Sequence, residues 1–365
     1  MAGLFSIKRF SELDLEDHFF DSLKSDYPGN QYSKGFVEWF NEKAKEDAKA
    51  LVYTDEEGIG AFVALKIEED EIKLKGRRLP RSRRMKIRTF SIAPRYRNQR
   101  IGEGAIGLVL WWWQEYGLEE IYFTSFAKQE TLIAQFQKFG FSIIGTNENN
   151  ERVLVKNRNS IRYSNPFESF PFIQSGFDRA GYILVDDYYH DTIFPYSELA
   201  NTPSLGTLGG SMRNGISKIY VGQEWTKKYY AGEPVLVYRK YTKGNGKRFR
   251  SCVTSFCVVN DIIQVKVNGN CLVSFEELID IIKNKSIFNE TELRRQYSDN
   301  NNMMVIELVY YGYFGAGNNI NMDWLDKNGF WVKPNQYPTD IKLTEEQFKM
   351  ILREGKVNVP NVIID

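Results

Sequence analysis

Histidine and cysteine are scarce in this chain: His18 and His190, with Cys252, Cys257 and Cys271, are all it has in 365 residues. No cluster of these types has zinc-ligand spacing, which argues against a metal site. Three unpaired-looking cysteines exclude a disulfide framework and point to reduced thiols. Long apolar runs are also missing. "LVLWWW" at 108–113 is far short of the roughly 20 residues a membrane span needs. The opening "MAGLFSIKRFSELDLEDHFF" is too acidic for a signal peptide. The expectation is a cytoplasmic protein with no membrane partner. Net charge is nearly absent too, with 48 Lys and Arg against 47 Asp and Glu, which argues against a wholly basic nucleic-acid binder. Aromatics are plentiful at 15%, in an otherwise ordinary globular composition. The length suits two domains.

The first 157 residues alternate strand and helix signals. "GLFSIKRF" reads as a strand, followed by acidic helical material from Ser11 to about Leu23. Phe36, Trp39 and Phe40 lie at helical spacing in a second helix. Residues 50–70 read as a hairpin turning at Asp55–Gly58, and a second hairpin runs from "EIKLKGRRL" to "RMKIRTFSIA". In that last strand Met85 and Ile87 follow one alternation, Phe90 and Ile92 the other. Either both faces are buried or a β-bulge shifts the register near Arg88–Thr89. A helix from about Ile101 to Tyr116, the strand "EEIYFTSF", the helix "QETLIAQFQKFG" and the pair "FSIIGT" and "RVLVKN" complete this half.

A linker rich in Asn, Ser and Pro follows near Lys156–Asn165, so the boundaries are set at 1–157, linker 158–170 and 171–365. Beyond it short strands dominate: "GYILVDDYY", "EPVLVYRKY", "FRSCVTSFCVV", "IIQVKV" and "MMVIELVYYGYF". The helical segments "SFEELIDIIKN" and "NETELRRQY" interrupt them, and Thr344 is placed to cap a last helix. That spacing fits a β-barrel with short helices.

Between the strand "MKIRTFSIAP" and the helix lies "RNQRIGEGAIG", a basic loop with glycines. A helix start offers free N–H groups and positive potential, and glycine lets backbone approach a phosphate closely. A plain strand-to-helix turn is the competing reading of the glycines alone.

The element order, with "SIAPRYRNQRIGEG", resembles the Gcn5-related N-acetyltransferases, the GNAT family, over residues 1–157. The helix ending at Gly140–Phe141 resembles that family's closing helix. The resemblance implies an α/β (α+β) fold with a central mixed sheet, and acetyl-CoA as cofactor. It implies a pyrophosphate site at Arg97, Asn98, Gln99, Arg100, Ile101, Gly102, Glu103 and Gly104, with pantetheine contacts at Phe90 and Ile92. Two registers fit the signature. The favoured one begins at Arg97 and puts Arg100 at the first glycine position, as an extra phosphate contact. The other runs Gln99-x-x-Gly102-x-Gly104. The family's catalytic tyrosine position is Phe136 here, its asparagine position is Gln129, and Arg88, Thr89 and Ser91 provide no carboxylate base. The catalytic residues are therefore unassigned.

The second half is similar, diffusely, to PUA-like domains of the EVE and ASCH type over about residues 175–315, which implies a small barrel that binds RNA. Residues 73–88 carry nine Lys or Arg and no acid, including Arg77, Arg78, Arg81, Arg83 and Arg84. Their charge is expected beside the acceptor cleft, with Arg239, Arg248 and Arg250 as a second RNA-contacting group. A solvated hairpin guarded against edge pairing is the plainer reading. His190, between carboxylates, reads as a hydrogen-bonded structural residue before a ligand contact. The leading expectation is an acetyltransferase acting on RNA or an RNA-bound acceptor such as charged tRNA, toxin-like, with an antitoxin or a second copy as further partner. Acetylation of a protein or small amine, and a non-catalytic RNA-binding module, are the alternatives.

Overall fold

Alternating apolar side chains in β2 (Lys49–Asp55) and β3 (Gly58–Glu68) pair these strands around the expected turn, where Gly58 adopts φ +101°. A computed structural model of the chain describes residues 4–29, 34–96, 98–197, 199, 214–223, 228–330 and 338–365. β1 (Leu4–Arg9) adds to β2. The acidic stretch after it is not one helix: two short 3-10 turns precede α1 (Asp21–Asp26), and Asp17 caps the second. α2 (Phe36–Lys45) buries Phe36 and Phe40, which pack with Phe10, Phe20 and Phe62 on one face of the sheet.

β4 (Ile72–Leu74) and β5 (Arg77–Leu79) form a separate hairpin. Its Ile72 and Leu74 pack with Tyr122, Val153 and Val155. β6 (Arg84–Ile92), α3 (Ile101–Glu115), β7 (Glu120–Phe126), α4 (Glu130–Lys138), β8 (Ser142–Thr146) and β9 (Glu151–Asn157) follow. The sheet order is β1-β2-β3-β6-β7-β9-β8, with β6 and β7 parallel and the other neighbours antiparallel. The α/β expectation for this half holds.

A short helix, α5 (Pro166–Ser169), leads into β10 (Ile173–Gln174), β11 (Gly181–Asp186) and α6 (Asp187–Ile193). β12 (Ser217–Gly222), β13 (Pro234–Lys240), β14 (Cys252–Val267), β15 (Asn270–Cys271), β16 (Met303–Tyr313), β17 (Ile320–Asn321) and β18 (Ile363–Ile364) complete the strands. The main sheet runs β11-β13-β14-β16-β12. Among the described residues its edge strands β11 and β12 do not pair, and this curled sheet is compatible with the expected barrel. Two of the expected strands are one: β14 spans both, and three register shifts against β16 let it bend rather than break. Helices Phe275–Ile282, Glu290–Asp299 and Glu345–Glu354 start at Ser274, Asn289 and Thr344, each with a capping box.

The two sheets share one core. Ile106, Val109 and Trp113 of α3 lie in a cluster that also holds Phe170, Ile183, Val237 and Tyr311. α3 is therefore covered on both sides, by its own sheet and by the second half. The "WWW" run divides accordingly. Trp113 is fully buried against Phe172, while Trp111 donates its indole N–H to the Tyr311 carbonyl at 2.7 Å.

Candidate functional site

β6 and β7 pair only from Arg84–Glu120 to Ile87–Phe123. Beyond Ile87 the two strands part, and among the described residues the β6 edge that faced β7 has no strand partner. The cause is local. Opposite β3, Leu65 pairs with Ile87 and Ala64 with Thr89, so Arg88 is the extra residue of a bulge. Bulges bend and twist a strand, and here the bend opens a V between neighbours. This settles the phase change in favour of a bulge at the expected place. Phe90 and Ile92 lie half-buried on the parted section.

Phe136 of α4 fills the closed end of the V. Its ring lies 4.0 Å from Phe123 and 5.2 Å from Phe90, and it is fully buried. On the other face α2 covers the bulge, with Arg88 stacked 5.1 Å over Trp39. Tyr27, at the end of α1, packs against Phe126 at the end of β7, and Asp26 pairs with Lys128 at 3.1 Å. Burial, then Glu151 and Asp26, pushes the Tyr27 phenol up to about 12, so it keeps its proton at neutral pH. The sequence offered no sign of Tyr27. Gln129 stands exposed at the start of α4, accepting the Ile133 amide through its carbonyl.

The glycine-containing loop leads from the end of β6 to α3. Arg97 lies outside the described residues. Asn98 and Arg100 take φ of +63° and +61°, and Arg100 enters α3 directly, so the amides of the first helical turn face outward as anion donors. Gly102 is partly exposed, and a side chain there would meet only the flexible end of Gln135. Ile101 is fully buried and offers its amide alone.

Gly104 and Glu103, in the first turns of α3, make contacts other than those expected. A Cβ on Gly104 would stand 2.0 Å from the Asn214 carbonyl oxygen, and one on Gly107 would stand 2.3 Å from Ile216. Gly104 thus admits the backbone leading into β12, not a phosphate, and Gly107 admits the Ile216 side chain. Glu103 accepts from the Ser217 amide at 2.7 Å and hydroxyl at 2.9 Å. Burial would raise its pKa, but the charges of Arg100 and Lys138 and bonds from Arg100 and Ser217 prevail and hold it at about 2. Arg100 spends Nη2 on Glu103 and on the Ser217 carbonyl, both at 2.6 Å. Its Nε and Nη1 are buried with no acceptor. Two orphaned donors on one guanidinium beside a helix start suit an anion.

The expected RNA contacts are mostly spent inside the fold. Arg84 is buried and pairs with Glu120 while donating to the Pro80 carbonyl at 2.9 Å. Arg239 is buried in a two-pronged pair with Asp191, at 2.7 and 2.8 Å. Arg248 bridges Asp323 and Asp326, each at 2.7 Å. Arg77 donates to the Ile144 carbonyl, Arg78 pairs with Glu71, and Arg250 donates to the Tyr241 hydroxyl. Arg81 and Arg83 are exposed. The basic hairpin also joins β6 at its paired end, about 25 Å of extended strand from Ile92, not beside the cleft. His190 is fully buried between Asp191 and Thr254, as its structural reading expects.

A parted parallel strand pair at a bulge, followed by an anion-ready loop and helix, is matched by a family comparison. Residues 16–141 match the model of the acetyltransferase (GNAT) family. They form a GNAT N-acetyltransferase domain. No curated protein matches the chain significantly. Among solved structures, the PaiA N-acetyltransferase of Thermoplasma acidophilum in complex with coenzyme A is 12% identical, over 42% of this chain and 99% of that one, with a TM-score of 0.30. The GNAT protein YhbS of Escherichia coli in complex with CoA is 14% identical, over 43% and 82%, with a TM-score of 0.29. A tyrosine-to-phenylalanine mutant of the toxin AtaT, bound to the C-terminus of the antitoxin AtaR, is 10% identical over 43% and 93%, with a TM-score of 0.30. Within the GNAT domain, Gly102 rather than Gly104 is the glycine open to a ligand, which fits the register that begins at Arg97.

Proposed function

We propose that the GNAT domain transfers acetyl from acetyl-CoA to an amine, with the pantetheine arm held between β6 and β7. The parting of these strands at Arg88 carries the reading, because it leaves a polar backbone edge beside a half-buried slot. Phe90 and Ile92 would flank the arm, and the amides of Ile101 and Gly102 with the free donors of Arg100 would hold the pyrophosphate. Bound acetyl-CoA supplies an activated thioester: the neutral amine forms a C–N bond to the carbonyl carbon as the C–S bond breaks, and the proton lost from the nitrogen passes through solvent to the departing thiolate. The unpaired β6 edge donates to the carbonyl oxygen as charge develops there. Phe136 donates no proton to the departing sulfur. The chain thus depends on positioning and polarisation.

Acetyl-CoA is expected to raise the melting temperature, since a ligand at 100 times its Kd stabilises by about 2.7 kcal/mol. Gly102→Asp should fold, because its side chain meets only Gln135, but should abolish the shift by setting a carboxylate against the pyrophosphate. No shift of the unaltered protein at millimolar acetyl-CoA would sink the proposal.

For the acceptor, an amine on a protein or small molecule is the first reading, because most of the arginines expected to contact RNA are spent on partners within the fold. An RNA-bound acceptor is the second reading, favoured by exposed Arg81 and Arg83. If these contact phosphates, changing both to Ala should reduce the slope of log affinity for tRNA against log salt by about two. Filter retention across a salt series measures it. Retention of tRNA no better than that of a neutral control protein excludes the RNA reading.

A further inference from the structure

The pyrophosphate loop is held in shape from outside its own domain. Asn98 and Arg100 both sit in the left-handed region, which asparagine enters readily and arginine rarely, so Arg100 is the residue that needs outside support. The enforcing contacts come from the second half, residue by residue. Asn284 donates its side-chain amide to the Asn98 carbonyl. Asn214 donates to the Gln99 carbonyl at 2.9 Å. The Ser217 carbonyl and hydroxyl accept from Arg100, whose guanidinium lies flat against Gly215. Ser217 also donates to Glu103, the neighbour of Gly104 at which the two backbones come closest.

Three consecutive loop residues are thus each tied to a different residue of the second half. The ties fall on carbonyls and on one prong of a guanidinium. They leave the first-turn amides and the Arg100 Nε and Nη1 donors unspent, which are the groups a pyrophosphate would need.

We propose that the second half completes the coenzyme site: Asn214, Ser217 and Asn284 are positioning residues that hold the loop Asn98–Gly102 ready for the pyrophosphate of acetyl-CoA. This rests on the acetyl-CoA reading of the cleft. By linkage, the bound coenzyme in turn strengthens the docking of the second half on α3. The arrangement gives the second half a part in donor binding, independent of any acceptor it brings.

The experiment compares the unaltered chain with Asn214→Ala, Asn284→Ala and the double variant. Each substitution truncates a half-buried surface side chain and leaves the backbone in place, so folding should survive. Dissociation constants are measured by titration calorimetry for acetyl-CoA and for S-acetylpantetheine, which keeps the thioester arm but lacks the pyrophosphate. The double variant should bind acetyl-CoA about tenfold more weakly, as expected for two lost hydrogen bonds, with S-acetylpantetheine affinity unchanged. A merely structural role would weaken both ligands alike, and that result would overturn the assignment. Unchanged acetyl-CoA affinity in the double variant would overturn it as well. If the unaltered chain fails to bind acetyl-CoA, the proposed function falls and takes this assignment with it, so the two failures are distinguishable.

Discussion

Lys156→Met is expected to cost about 3–5 kcal/mol, because three buried carbonyls lose their donor at about 1–3 kcal/mol each and the apolar replacement recovers part of that. Lys156 lies in β9, buried to 2% exposure. Its ammonium donates to the carbonyls of Phe139 at 2.6 Å, Glu168 at 2.8 Å and Phe170 at 2.6 Å. Burial pushes its pKa well below the ordinary lysine range. Three carbonyl acceptors nonetheless use all three ammonium hydrogens, so the charged form is the one the site is built for. These carbonyls belong to the α4–β8 turn and to the segment carrying α5, so one side chain ties the GNAT sheet to the start of the second half. Methionine fills the volume but leaves three buried carbonyls without a donor. The melting temperature should fall by roughly 10 °C, at about 2–4 °C per kcal/mol for chains of this size. A fall under about 2 °C would mean that the carbonyls find other donors.

Nothing in the sequence marked Lys156, because a lysine in a strand normally reads as a solvated position. Its role depends on two turns and a linker converging, which is tertiary information. The GNAT half was legible because its signals are local: the hairpin turn at Asp55–Gly58, the apolar stripes of α3 and α4, and the change of phase at Arg88. The acidic segment after β1 was misread as one helix, since its apolar residues Phe10, Phe19 and Phe20 suit several short turns packed on α2. The second half was less legible. A strand that bends through three bulges looks like two strands in sequence, and nothing local says whether a sheet closes.

The loop shows how one signal can have two owners. Gly104 reads beside Gly102 as part of an anion cradle, but its three-residue spacing to Gly107 also puts two glycines on one helix face. Had that face been weighed, close approach by another backbone was the alternative, and β12 makes it. The charge run at 73–88 misled for a related reason. Arg84 looked like its neighbours in composition, yet strand alternation turned it inward onto Glu120. Net charge along a segment does not say which side chains are spent within the fold.

Phe136→Tyr is expected to raise kcat by about 10²-fold, the lower end of what a positioned general acid contributes. The ring at this position stands between Phe90 on β6 and Phe123 on β7, against Phe141, where the two strands begin to part. A hydroxyl there would have no acceptor in the uncharged, fully buried pocket, so the ligand-free variant should lose about 1–3 kcal/mol. With acetyl-CoA bound, the thioester sulfur becomes its partner, and the ligand-induced rise in melting temperature should exceed that of the unaltered chain. The gain in kcat comes from the proton that reaches the sulfur as the C–S bond breaks, and the bond made already in the bound state should lower KM for acetyl-CoA as well. Phe136→Leu separates packing from chemistry: it keeps the pocket apolar, costs about 1–2 kcal/mol of packing, and gains no turnover. Equal kcat for Phe and Tyr in folded, coenzyme-binding protein would show that leaving-group protonation does not limit the reaction. Transfer would then rest on positioning by the parted strands and on polarisation by the β6 edge.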